Sequence, residues 1–301
     1  MTPADSRIWQ QLETFGHLTI LSEGAARRVV RYAATSGGED DGAGPSIIGK
    51  FYRDDEGMRT MRIMEALRVA LERCPSAVLR VPRALGYDAK RRLLLQEAVR
   101  GARFDTLLAG PNARGALYLA GRALSALHGL SAAVGAARRL RHHIDDLIHP
   151  HPSRLAQQVP RLAPRVDRIV RALVGAEARF WPCGPDMPIH RDVHPRQLFV
   201  EEERVSLIDW DLCARGDGAL DLGNFVAYLR ARRLVQDDAI DCLMRGYAES
   251  GRADVLERVP LYEALTYLRL ACKRFRLGKA GWREECDELI TRAELSLASG
   301  S

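Results

Sequence analysis

Residues 190–211 read HRDVHPRQLFVEEERVSLIDWD, and no other run in the chain limits the fold as strongly. Leu198–Val200 is a short apolar strand. Residues 201–204, EEER, make a polar turn, and residues 204–211, RVSLIDWD, read as the returning strand, ending in Asp209 and Asp211. A hairpin of this kind brings the residues just before its first strand and those closing its second to the same end. Asp192 and Asp209, seventeen positions apart, therefore become neighbours. Two carboxylates at one end of a hairpin suit phosphoryl transfer, in which one orients the attacking hydroxyl and the other holds Mg²⁺ against the phosphates. The order H-R-D followed by a polar ligand five positions on is that of a kinase catalytic loop, with Gln197 where Asn is usual. A glutamine amide oxygen is as hard a ligand as that of asparagine. It sits at most about 1.5 Å further out, one C–C bond length.

The segments on either side divide the chain. The first hundred residues read as strands at 17–24, 26–35 and 46–52, a helix over 57–73, and a hairpin of strands at 83–88 and 91–99. After Gly101 the pattern is helical: 117–130, then 154–180 interrupted by Pro160 and Pro164, then 220–297. The expectation is an α+β protein of two lobes, residues 1–98 binding nucleotide and 99–301 carrying catalysis and the acceptor site, with a hinge near Gln96–Gly101. The chain contains four lysines, at 50, 90, 273 and 279, so a lysine inside the apolar strand SIIGKFY stands out. GPSIIGKF (44–51) has the glycine and lysine spacing of a phosphate-binding loop, but Phe51 stands where Ser or Thr is required and no helix opens there. Lys50 reads instead as an inward-facing strand residue that steadies phosphates.

The run HRDVHPRQLFV…VSLIDWDLCARGDGALDLGNFVAYL (190–229) resembles the signature of the aminoglycoside phosphotransferase and choline kinase family, whose members have a protein-kinase-like fold. The likeness extends more loosely to Lys50, to LLLQEAVRG and to the helix AGRALSALHGL. It implies ATP and Mg²⁺ as cofactors and a small-molecule hydroxyl as acceptor. Asp192 would be the catalytic base. Asp209 would be the principal metal ligand, supported by Gln197 and Asp211. Lys50 would meet the nucleotide phosphates, with Glu65 as its helix partner. Backbone at Gln96, Glu97 and Ala98 would bind adenine. No G-x-G-x-x-G occurs in the first lobe, and the turn at Ser22-Glu23-Gly24-Ala25 would cover the phosphates through Ser22 and backbone N–H groups. His190 and Asp221 would hold the catalytic loop in shape. Only eleven residues separate Asp209 from Asp221 and no A-P-E motif follows, which excludes the activation loop of a protein kinase.

Two other readings compete. His190, Asp192 and His194, joined by the His and Asp of HHIDDLIHPHP (142–152), offer the residue types of a hydrolytic metal centre. Gln197 and the missing glycine loop would also fit a catalytically silent kinase-like protein that binds nucleotide and acts through a protein partner. The net charge of +6 comes from arginines spread along the chain without interleaved aromatics, which argues against a nucleic-acid partner and weakly against a polycationic substrate. Glu284, Glu285, Asp287 and Glu288 are the acidic group that would attract a cationic acceptor, unless they are a solvated helix face. No apolar run approaches the ~20 residues of a membrane span, and Met1–Gln10 lacks the apolar core of a signal peptide. Six scattered cysteines without C-x-x-C spacing fit reduced thiols, so a cytoplasmic location is expected, with the oligomeric state open.

Overall fold

The computed structural model describes residues 17–23, 27–33, 46–74, 78–132, 134–180, 186–249 and 253–299. Strands β1 (His17–Glu23), β2 (Arg27–Ala33) and β3 (Ser46–Tyr52) open the chain, followed by helix α1 (Glu56–Glu72). After β4 (Leu79–Arg80) come β5 (Ala84–Asp88) and β6 (Leu93–Glu97). The first sheet is antiparallel in the order β1-β2-β3-β6-β5. This is the β-rich first lobe expected from the sequence.

β3 shows why a lysine can live inside this sheet. Successive side chains alternate between faces. Ile47 and Phe51 point to the outer face, into a small cluster with Leu93 and Leu95. Lys50 and Tyr52 point to the opposite face, and both are buried. That face is covered by α1, whose inward stripe of Gly57, Thr60, Met64 and Leu67 follows helical spacing.

A second sheet, β4-β10-β9-β7, contains β7 (Ala102–Arg103), β9 (Leu198–Glu201) and β10 (Arg204–Leu207). β9 and β10 form the expected hairpin, paired from Leu198 with Leu207 to Glu201 with Arg204. β8 (Met187–Ile189) pairs with β11 (Ala214–Gly216) and fixes the chain just ahead of residues 190–197.

The rest is helical: α2 (Phe104–Leu107), α3 (Ala113–Gly129), α4 (Leu140–Leu147), α5 (Pro152–Gln158), α6 (Ala163–Phe180), α7 (Ala219–Ala231), α8 (Asp237–Ala248), α9 (Ala253–Leu256), α10 (Val259–Leu277) and α11 (Trp282–Ser299). Pro164 does not break α6. It sits in the first turn, where its missing N–H has no helical acceptor in any case. α10 stops at Gly278, which takes the left-handed conformation at φ 58°. α3 and α8 cross at close range: a Cβ on Gly121 would meet Leu243 O at 2.1 Å, and one on Gly246 would meet Tyr118 O at 2.1 Å. One continuous apolar core runs from Tyr52, Met64 and Leu94 in the first lobe to Phe225, Leu268 and Ile290 in the second.

The 142–152 segment carries the His and Asp residues considered as metal ligands. Most of it is α4, with His143 buried, and His143 and Asp146 meet Arg191 in the loop ahead of β9.

Candidate active site

The loop between β8 and β9 is held in place by Asp221 from the first turn of α7. One Asp221 oxygen accepts the backbone N–H of His190 and the other that of Arg191, each at 2.7 Å. His128 on α3 adds a third contact, Nε2 to Oδ2 at 3.1 Å, and its Nδ1 meets the Tyr247 hydroxyl at 2.8 Å. Asp221 and His128 are fully buried, so each polar atom there must be matched. Asp221 thus meets the loop it is expected to brace through both carboxylate oxygens. His128 and Tyr247 were not legible in the sequence, because helices far apart in the chain bring them in.

His190 uses its ring to meet two backbone groups. Its Nε2 donates to Ile208 O at 2.9 Å, which leaves Nδ1 to accept the Asp192 N–H at 3.4 Å. Its ring stands edge-on to Trp210 at 4.9 Å. Both ring nitrogens are occupied, so His190 is not a metal ligand. His194 accepts the Arg196 N–H and packs on Tyr228. Among the described residues no cluster of three or more His, Cys, Asp or Glu could hold a metal ion, and the hydrolytic-centre reading fails.

Arg191 takes φ 71°, a conformation costly for a side chain other than glycine. Its guanidinium anchors it, donating to His143 Nδ1 at 3.3 Å and Asp146 at 3.0 Å. Burial, then the neighbouring Arg191 charge, pushes the His143 pKa well below its ordinary value. His143 therefore stays neutral in the folded protein, whereas the unfolded chain takes up that proton below about pH 6.5. The unfolded state then binds more protons, so stability falls as pH drops through this range. A melting temperature that falls between pH 7 and 5, with a shallower fall in His143→Gln, is the expected result of thermal denaturation across that range.

Asp192 follows Arg191 with its carboxylate one-fifth exposed, paired to Arg269 of α10 at 2.8 Å. Asn224 supports the loop further along, donating to Val193 O at 2.9 Å.

Asp209 lies across from Asp192 at the end of β10, in the left-handed conformation at φ 72°. Its carboxylate is part-exposed and meets Lys50 Nζ at 2.5 Å. Burial pushes the carboxyl up, but the Lys50 charge and hydrogen bond outweigh it and hold the group at about 2. Gln197 is buried, with Nε2 3.3 Å from Asp209 Oδ2. Gln197 Oε1 is buried without a hydrogen-bond partner. A buried amide oxygen left without a donor, beside an ionised carboxylate, is a pair of hard oxygens suited to Mg²⁺.

Two sequence expectations need correction here. The first concerns Glu65. It lies on the exposed face of α1 and does not meet Lys50, because the inward stripe of that helix runs through Thr60 and Met64. The carboxylate that joins Lys50 besides Asp209 belongs to Asp211. The second concerns Asp211 as a metal ligand. Its side chain is about 1% exposed, and both oxygens are occupied. Oδ1 accepts the hydroxyls of Tyr52 at 2.7 Å and Thr60 at 3.0 Å, while Oδ2 meets Lys50 and Arg27. Asp211 is the anchor that holds Lys50 in place. Burial, then the Asp211 charge and its hydrogen bond, pushes the Tyr52 phenol far up, so it donates to Asp211 across the whole physiological range.

The remaining expected residues, Gln96–Ala98 and Ser22, lie in strands of the first sheet or directly after one. The N–H groups of Glu97 and Ala98 are bound to Arg83 O at 3.0 Å and Ser46 O at 3.2 Å. These two donors are therefore not available to a base, and carbonyl oxygens of the hinge carry what remains of that expectation. Ser22 is exposed near the end of β1, just past a register shift. The turn that would follow it, through Gly24 and Ala25, lies outside the described residues.

A two-lobed α+β fold with this loop defines a protein-kinase-like phosphotransferase. Residues 17–257 match the profile of the phosphotransferase enzyme family, and the chain belongs to that family. Solved structures share the fold at low identity. A choline/ethanolamine kinase family protein from Mesorhizobium loti is 18% identical over 99% of both chains, with a TM-score of 0.65. The aminoglycoside phosphotransferase APH(4)-Ia, in a ternary complex with ADP and hygromycin B, is 14% identical over 100% of this chain and 99% of its own, with a TM-score of 0.63. Spectinomycin phosphotransferase APH(9)-Ia, in complex with ADP and spectinomycin, is 10% identical over 97% of this chain and 98% of its own, with a TM-score of 0.62. A search of curated proteins by sequence finds no match. No described helix is long and apolar enough to cross a membrane.

Proposed function

We propose that this chain transfers the γ-phosphoryl group of ATP to a hydroxyl of a small molecule, with Asp192 as base. The observation that carries the proposal is the unpartnered Gln197 Oε1 beside the Asp209 carboxylate, at the same end of the β9–β10 hairpin as Asp192. Asp209 and Gln197 would hold Mg²⁺, which would supply positive charge to offset that of the phosphates. Lys50, positioned by Asp211, places its ammonium toward the phosphates. The hinge at Gln96–Ala98 borders the base, and Ser22 lies at the phosphate end. Asp192 accepts the proton of the acceptor hydroxyl as that oxygen bonds to the γ-phosphorus and ADP leaves. Supporting this reading are the family membership and neighbours crystallised with ADP.

ADP release from ATP, titrated with Mg²⁺ over a panel of hydroxylated metabolites, tests the proposal. Gln197→Leu removes the unpartnered oxygen without adding charge. It is expected to raise the Mg²⁺ concentration for half-maximal rate by about tenfold, the equivalent of one lost contact of ~1.4 kcal/mol. Gln197→Asn keeps the amide and is expected to stay closer to wild type. Equal Mg²⁺ dependence in wild type and Gln197→Leu would remove Gln197 from the metal site.

A further inference from the structure

The acceptor side of Asp192 is built from cations. Arg269 pairs with Asp192 at 2.8 Å, and Lys273 stands one turn further along the same face of α10. α7 packs against α10 and ends at Arg232, whose guanidinium lies 5.8 Å over the Tyr228 ring. Tyr228 in turn packs on His194 at 5.2 Å, two residues after Asp192. These contacts make one continuous wall. Burial, then the Arg269 charge, lowers the Lys273 pKa while Asp192 opposes the shift, so the lysine lies within the field of both. Among the described residues neither Lys273 nor Arg232 has a carboxylate within ion-pair distance.

Three of the four acids on α11 that could have served a cationic acceptor are already paired, and the fourth, Glu284, is exposed. Glu285 binds Arg274 at 2.7 Å, Asp287 binds Arg165 at 2.6 Å, and Glu288 binds Arg292 at 2.7 Å. Around Asp192 three cations therefore face one carboxylate. An ammonium-rich acceptor would be repelled there, whereas an anionic one would be drawn in.

We infer that the acceptor carries an anionic group, a carboxylate or a phosphate ester, bound by Arg269, Lys273 and Arg232 beside the hydroxyl that is phosphorylated. This inference rests on the phosphotransferase reading and adds the acceptor's chemical class to it. The anionic group takes no part in bond making: the hydroxyl proton goes to Asp192, the acceptor oxygen bonds to the γ-phosphorus, and ADP departs with the bridging oxygen. An anion seated between Arg269 and Lys273 also competes with Asp192 for Arg269, which opens the carboxylate to the hydroxyl.

Residue-resolved NMR of the full chain tests this, with inorganic phosphate, acetate, choline and kanamycin titrated separately, before and after addition of Mg²⁺ and AMP-PNP. Phosphate or acetate is expected to shift the signals of residues 192–194, 228–232 and 269–273, and which of the two does so separates phosphate-ester from carboxylate recognition. Lys273→Glu is expected to weaken that response by about tenfold or more while signals elsewhere stay put. Shifts at these residues from choline or kanamycin but from neither anion would overturn the inference. So would no shift from any probe, or phosphate shifts confined to Lys50 and Asp209. The AMP-PNP addition reports on the nucleotide site separately. Its failure would sink the phosphotransferase reading, whereas a nucleotide response beside a silent α10 wall would sink only the anionic acceptor.

Discussion

Asp192→Asn is expected to lower the rate of phosphoryl transfer by about 10²- to 10⁴-fold, the usual worth of a positioned general base. Nucleotide affinity is expected to change little, because Asp192 lies on the acceptor side and pairs with Arg269. The effect should fall on kcat, since the proton leaves the hydroxyl only as the new bond forms. Steady-state kinetics of ADP release, with nucleotide binding measured on the same protein, separates the two. Wild-type kcat in the Asp192→Asn variant would remove Asp192 from the reaction.

The second large effect is expected at Asp211. Its carboxylate receives two hydroxyls and two cations in a site closed to solvent. Asp211→Asn removes the charge and leaves Lys50 and Arg27 with less compensation in a low-dielectric site. Breaking a buried ion pair from one side costs about 3–5 kcal/mol. Arg27 is one-third exposed and can turn to water, so the lower end of that range applies. Denaturant unfolding should show the loss as a lower midpoint with an unchanged slope. Nucleotide binding should weaken too, because Lys50 loses its fixed position. Glu65→Gln, on the exposed face of α1, is expected to leave both measurements near wild type. The opposite ranking would restore Glu65 as the partner of Lys50.

The contrast between these two carboxylates shows what could be read from the sequence. Asp192, Gln197 and Asp209 lie within one hairpin, so chain connectivity alone brings them together, and the turn residues 201–204 fix the register. Asp221 follows at the start of the next helix, and Lys50 stood out as a cation inside an apolar strand. The lobes and most elements followed from hydrophobic period. What failed was the meeting of distant segments. Asp211 contacts Thr60 from 151 positions away, and Arg269 reaches Asp192 from 77 positions away. Such pairs depend on which face of a helix turns inward. For α1 that signal was present: Gly57, Thr60, Met64 and Leu67 follow helical spacing, and Glu65 lies off the stripe. On α10 the arginines and lysine are spaced like a solvated face, so nothing distinguished Arg269 before the fold placed it beside Asp192. His143 and Asp146 looked like loose metal-ligand types and instead anchor Arg191 in its left-handed turn.

The most direct test is calorimetric titration of ATP into the wild type with Mg²⁺ and with the metal chelated, repeated on Asp209→Asn. Asn keeps the tolerance of Asp for the left-handed backbone at this position, so loss of fold does not obscure the result. Binding that requires Mg²⁺ in the wild type and weakens by at least about tenfold in the variant is the expected outcome. Binding indifferent to both the metal and the substitution, or no binding by the wild type, would contradict a phosphotransferase centred on Asp209 and Gln197.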